Sequence, residues 1–137
     1  MKLTLTFILL SIFIMKAHSE IITKDVEYKI GDVTLLGYIA YDNSNQNKRP
    51  GILIVHQWKG LTDYEKMRAR ELAELGYFAF ATDIYGKDVR PATSQDAGKE
   101  AGKYYADRSL FRERLNAGLN ELKMQPMVDV NNIAAIG

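Results

Sequence analysis

Two alternating stretches come first once the polar and apolar positions are laid out. Ile22 to Ile30 sets Val26, Tyr28 and Ile30 in phase, and Val33 to Tyr41 does the same with Val33, Leu35, Gly37 and Ile39. A period of two places each set on one face of a strand. Gly31-Asp32 between them is turn chemistry, so the spacing predicts a β-hairpin. Asn43 to Arg49 carries no large apolar side chain and ends at Pro50, which predicts a surface loop. The pattern then becomes continuous. Gly51-Ile52-Leu53-Ile54-Val55 is the run expected of a strand covered on both faces in a parallel sheet. Thr62 and Glu65 have the spacing of a capping box, Tyr64, Met67, Leu72 and Leu75 recur at helical intervals, and Gly76 is a stop signal. Tyr77 to Thr82 reads as a second buried strand ending at Asp83. Residues 51–82 therefore form a strand–helix–strand unit with an expected right-handed crossover.

Asp83 to Thr93 is irregular and long enough to be functional. Ser94 to Tyr105 is helical by composition but weakened by Gly98 and Gly102. Asp107 to Met124 is a stronger helix with Phe111, Leu115, Leu119 and Leu122 on one stripe, and Pro126 stops it before a strand over Val130 to Ile136. The order predicts an α/β fold in which an antiparallel hairpin leads into a parallel sheet.

Composition changes the picture at the N-terminus. Lys2, an uncharged apolar run from Leu3 to Met15, and Ala17-His18-Ser19 have the layout of a secretory signal peptide over residues 1–19, leaving residues 20–137 as one domain. The run is shorter than the roughly 20 residues that span a bilayer, so cleavage and export to a periplasm or the outside are expected, with no stable membrane anchor. Losing Lys2 and Lys16 takes the 18 basic residues to 16 against 17 acidic ones, a formal charge of −1, which offers nucleic acid no electrostatic footprint. Cysteine is absent, so stability rests on core burial rather than disulfides.

In open α/β sheets ligands bind beyond the carboxyl ends of the strands. That singles out His56-Gln57-Trp58-Lys59-Gly60-Leu61, where a buried strand meets a capped helix and backbone amides can receive an anionic oxygen, and Asp83 to Arg90. After cleavage His56 is the one histidine, and Ser44, Ser94 and Ser109 lie outside any Gly-x-Ser-x-Gly turn. No nucleophile–base–orienter set emerges. Metal-ligand spacing and a phosphate-cradling glycine loop are absent as well, so no metal or cofactor is expected.

Three ordered motifs carry a resemblance. Pro50-Gly51-Ile52-Leu53-Ile54-Val55-His56-Gln57-Trp58-Lys59-Gly60-Leu61, Ala73-Glu74-Leu75-Gly76-Tyr77-Phe78-Ala79-Phe80-Ala81-Thr82-Asp83-Ile84-Tyr85-Gly86 and Asn132-Ile133-Ala134-Ala135-Ile136-Gly137 together resemble the dienelactone hydrolase family of α/β-hydrolases. The resemblance implies the N-terminal part of that fold, with Gly137 as the first glycine of the nucleophile turn. The chain is then a fragment truncated before the nucleophile elbow, with the catalytic Cys or Ser, Asp and His all beyond Gly137. It also implies that the Trp58 N–H is the first oxyanion donor and that His56 and Gln57 belong to the active-site loop. Gln57 departs from a family position that is often glutamate: a carboxylate can hold a thiol proton, and an amide cannot. Lys87 stands where some members carry an arginine for a substrate carboxylate, with Arg90 close by; both are candidate substrate-binding residues. The implied activity of the intact parent is hydrolysis of a small-molecule ester or lactone by acyl transfer, and the 137 residues alone are expected to be inactive. The competing reading is a non-catalytic α/β binding module or a decayed remnant.

Overall fold

The computed structural model describes residues 20–137; the expected signal peptide lies outside the described residues. Eight elements follow in order: β1 (Ile21–Ile30), β2 (Val33–Asp42), β3 (Arg49–Val55), α1 (Asp63–Glu74), β4 (Phe78–Thr82), α2 (Ser94–Ala106), α3 (Arg108–Met124) and β5 (Val128–Ile136). The strands form one sheet in the order β1-β2-β4-β3-β5. β1 and β4 both run antiparallel to β2, whereas β3 is parallel to β4 and β5. The hairpin thus feeds a parallel sheet, as the change from alternating to continuous hydrophobicity predicts.

Each face of the sheet has its own cover. Ala69 and Ala73 of α1 pack on Tyr38, Ala40, Ile54, Ala79 and Ala81. Leu122 of α3 packs on the opposite face with Tyr28, Leu35, Leu53, Phe78, Phe80 and Val128. The hairpin register sets Tyr28 opposite Leu35 and Val26 opposite Gly37, which confirms the shared face of the two alternating sets. The second half of β2 goes further than its alternation suggests: Tyr38, Ile39 and Ala40 are all buried, because α1 lies on the face that the hairpin pattern leaves to solvent.

Three details differ from the expected boundaries. Arg49 is not loop but the first residue of β3, and it is buried. Its N–H donates to the Met127 carbonyl at 2.9 Å, and its guanidinium ties down the preceding loop through the carbonyls of Asp42 (2.7 Å) and Asn45 (2.9 Å). β5 begins at Val128 rather than Val130, with a register shift against β3 at Pro50/Gly51. Pro50 has no N–H to give the ladder, and a shift at that point is the ordinary way a sheet accommodates it. On α3, the most deeply buried residues are Arg114, Gly118 and Leu122: of the apolar stripe read from the sequence Leu122 is fully buried, whereas Phe111, Leu115 and Leu119 are only partly so. The helix makes its closest approach to the sheet at the residue with no side chain. α2 forms despite Gly98 and Gly102, since Thr93 caps it through Asp96 N–H (3.1 Å) and Ala97, Ala101 and Tyr104 bury one face.

Candidate functional site

β3 and β4 are adjacent and parallel, so the segments that follow them emerge side by side at one edge of the sheet. After β3, the Gly60 N–H donates to the Gln57 carbonyl at 3.0 Å, closing a tight turn over Trp58 and Lys59. Gly60 holds φ at +86°, a left-handed conformation that glycine tolerates and side-chain-bearing residues rarely adopt. The turn runs into the capping box of α1. There the buried Glu65 carboxylate accepts from Thr62 N–H (2.8 Å), Thr62 hydroxyl (2.6 Å) and Gln57 N–H (3.4 Å). The sequence-level capping box is therefore also the anchor of the loop.

After β4, Asp83 organises the other side. Its side chain is fully buried, and its carboxylate accepts from Leu36 N–H (3.0 Å), Tyr85 N–H (3.1 Å) and Gly86 N–H (3.2 Å), with Arg90 Nη2 at 3.4 Å. Tyr28 braces the same point from β1: its hydroxyl donates to the Asp83 carbonyl (3.2 Å), accepts from the Asp83 N–H (3.1 Å) and pairs with the Thr82 hydroxyl (2.9 Å). Burial pushes the Tyr28 phenol up to about 12.

Two bonds stitch these loops together. The Ile84 N–H donates to His56 Nε2 at 3.2 Å, and the Tyr85 hydroxyl donates to the Trp58 carbonyl at 2.8 Å. His56 Nδ1 lies 2.7 Å from the Gln57 carbonyl, so both ring nitrogens are engaged and the ring is the neutral Nδ1–H tautomer. Burial lowers the His56 pKa from its ordinary 6.5, and the ring packs edge-on against Tyr85 at 4.6 Å. His56 is thereby a positioning residue for both loops rather than a free base.

A group whose folded pKa lies below its unfolded value leaves the folded state with fewer protons. The His56 contribution to stability is therefore complete above pH 6.5 and is lost as pH falls through the lower folded value. Denaturant titrations from pH 8 to pH 5 should show the wild type losing stability relative to His56→Gln; parallel pH profiles would disprove the assignment.

The stitched loops and the two later helices line a small, half-open cleft of about 80 Å³. His56, Gln57 and Trp58 form one wall, Ile84 and Tyr85 the floor, and Ala101, Tyr104, Tyr105 and Phe111 the far wall. The Tyr85 and Tyr104 rings stack at 5.3 Å. Gln57 also lines an adjoining hollow with Glu65, Ile136 and Gly137, so it stands between the cleft and the end of β5. Among the described residues the Trp58 N–H makes no hydrogen bond, unlike the Gln57 and Gly60 amides beside it. A free backbone donor at the mouth of a helix-capping turn can serve an oxyanion.

The sequence-derived site residues thus fall into two groups. His56, Gln57 and Trp58 meet at the cleft. Lys87 and Arg90 do not line it: Lys87 forms an exposed ion pair with Glu27, and Arg90 donates to the carbonyls of Gly86 (2.6 Å) and Val89 (2.8 Å) beside its pairing with Asp83. The sequence reading passed over the aromatic wall from α2 and α3. Its one local signal is the Tyr104-Tyr105 pair, which periodicity alone assigns to helix packing. Among the described residues, no three His, Asp or Glu side chains converge on a metal-binding point.

The model of the Dienelactone hydrolase family matches residues 35–137. Among solved structures, a dienelactone hydrolase-like promiscuous phosphotriesterase from metagenomic libraries is 35% identical, with a TM-score of 0.80, over 85% of this chain and 48% of its own. A structure titled m3DLH is 31% identical, with a TM-score of 0.81, over 85% of this chain and 49% of its own. A dienelactone hydrolase described as putative, from Klebsiella pneumoniae subsp. pneumoniae, is 17% identical with a TM-score of 0.72, a likeness of fold. The chain spans about half the length of these structures. No curated protein matches it.

Proposed function

Because the chain belongs to the dienelactone hydrolase family, we propose that the cleft between the His56–Leu61 turn and the Asp83–Gly86 loop is the acyl half of an ester- or lactone-hydrolysing site. The observation that carries this reading is the unengaged Trp58 N–H, which lines the cleft in a turn pinned by the bonded amides of Gln57 and Gly60. The nucleophile, a Cys or Ser, comes from the part of the protein that follows Gly137, at the end of β5, where Gln57 already faces both the cleft and the adjoining hollow. The Asp and His partners lie further on. His56 takes no part in proton transfer, since both its nitrogens are bonded; it holds the two loops in register. Gln57, a neutral amide, supplies a hydrogen bond and no proton sink.

The reading predicts that the full-length protein cleaves short activated esters, such as p-nitrophenyl acetate, and that a covalent serine or thiol reagent abolishes turnover with a one-to-one mass shift. Folded full-length protein that neither turns over nor labels would favour the second reading, a binding module, which the neutral Gln57 and the fully bonded His56 also suit. The protein is further proposed to be exported, on the layout of residues 1–19. Amino-terminal sequencing of the secreted form should begin at Glu20; retention of Met1 would exclude cleavage.

A further inference from the structure

The Trp58 N–H belongs to the Gln57–Trp58 peptide, whose other polar end is the Gln57 carbonyl. No peptide among the described residues is cis. In a trans unit the N–H and C=O point in opposite directions within one plane, so whatever holds the carbonyl also aims the amide. The Gln57 carbonyl accepts two bonds, from the Gly60 N–H at 3.0 Å and from His56 Nδ1–H at 2.7 Å. The first closes the turn. The second comes from a ring whose far nitrogen is committed to another loop: Nε2 accepts from the Ile84 N–H at 3.2 Å, which leaves the ring proton on Nδ1. A continuous series of polar groups therefore runs from the loop after β4, through the His56 imidazole and the Gln57 carbonyl, across one peptide plane to the Trp58 N–H.

Each link acts on the next. Hydrogen bonds joined in series polarise one another, by about 10–30% per bond, so two donors on the Gln57 carbonyl make the Trp58 N–H behind it a stronger donor. The neighbouring peptides are held separately. The Trp58 carbonyl accepts from the Tyr85 hydroxyl at 2.8 Å, and the Gln57 N–H reaches the Glu65 carboxylate at 3.4 Å. The unit between them is thus clamped on both flanks, and among the described residues His56 supplies the one side chain bonded to its carbonyl.

We infer that His56 is a positioning residue for the oxyanion step: beyond joining the two loops, its Nδ1–H orients and polarises the peptide that presents the Trp58 amide. The inference rests on the ester-hydrolase reading for its effect on turnover, whereas the state of the peptide is measured without turnover. Two substitutions in the full-length protein separate the two jobs of the ring. Asparagine places its amide nitrogen where Nδ1 stands, so His56→Asn keeps the bond to the Gln57 carbonyl and gives up the one from Ile84. Glutamine reaches the Nε2 position, so His56→Gln keeps an acceptor for Ile84 and gives up the Gln57 carbonyl. Removing an oxyanion donor outright costs about 10²–10³ in kcat, and loosening one that stays in place should cost about tenfold. His56→Gln is expected to lose that factor in kcat for p-nitrophenyl acetate at nearly constant KM, and the Trp58 amide nitrogen resonance should move upfield as the carbonyl before it loses a donor. His56→Asn should recover most of the turnover and the resonance position, yet show the lower thermal midpoint, because the Ile84 N–H is left without its acceptor. Equal kcat values for the two variants, or the lower value in asparagine, would overturn the inference and leave His56 as a joint between loops alone; so would a Trp58 resonance that stays in place in His56→Gln. Wild-type protein without turnover, but with the expected order of resonances, would strike the hydrolase reading alone.

Discussion

Replacing Asp83 with alanine is expected to destabilise the folded protein by about 3–5 kcal/mol, the range for removing one member of a buried charged network. The carboxylate has no solvent exposure, and its loss leaves the N–H groups of Leu36, Tyr85 and Gly86 without acceptors. Each such orphan costs about 1–3 kcal/mol when it stays dry. Arg90 loses its ion pair as well, although at a side-chain exposure of 36% that contact adds little beside the amides. Asp83→Asn should fall between the wild type and alanine, because an amide nitrogen turned toward any of these donors presents hydrogen to hydrogen. Urea denaturation of the three proteins measures the series. A loss below about 1 kcal/mol for alanine would mean that water replaces the carboxylate and that Asp83 does not organise the loop.

The second large effect is expected at Gly118. A Cβ built there lies 2.7 Å from the Thr82 Cβ, closer than real contacts allow, so any side chain drives α3 off the sheet. Gly118→Val should cost about 3 kcal/mol, at the upper end of ordinary overpacking. It also displaces the Thr82 hydroxyl from Tyr28, removing part of the brace behind Asp83. Gly102→Ala is the matching control: nothing lies within 4 Å of its Cβ, and alanine is the better helix former by about 1 kcal/mol. The pair should therefore move thermal stability in opposite directions. A tolerated valine at Gly118 would contradict the close helix–sheet packing.

These two positions also show how far the sequence reaches. The hairpin and the β3–α1–β4 unit are legible because their signals are local: alternation in β1 and β2, a continuous aliphatic run in β3, and the Thr62–Glu65 box. The turn holding His56, Gln57 and Trp58 is legible for the same reason, since it lies between a strand and a cap. Nothing local marks Gly118, and only the approach of Thr82 from another element makes a glycine a requirement there. Asp83 reads as the end of a strand, because its first partner, Leu36, lies 47 residues away. Lys87 pairs with Glu27 across 60 residues, a contact no spacing rule anticipates. The aromatic wall of the cleft is hidden likewise, as Tyr104 and Tyr105 are brought to Trp58 by the packing of α2 and not by any motif.

The central claim is that the Trp58 amide receives the oxyanion of an ester being cleaved beside this cleft. The most direct measurement is a crystal structure of the full-length protein inactivated by a phenyl-bearing phosphonate, whose phosphonyl oxygen mimics that oxyanion. The account predicts the oxygen about 2.7–3.1 Å from the Trp58 nitrogen. A phosphonyl oxygen held by other donors, with the Trp58 N–H turned away from the adduct, would contradict it.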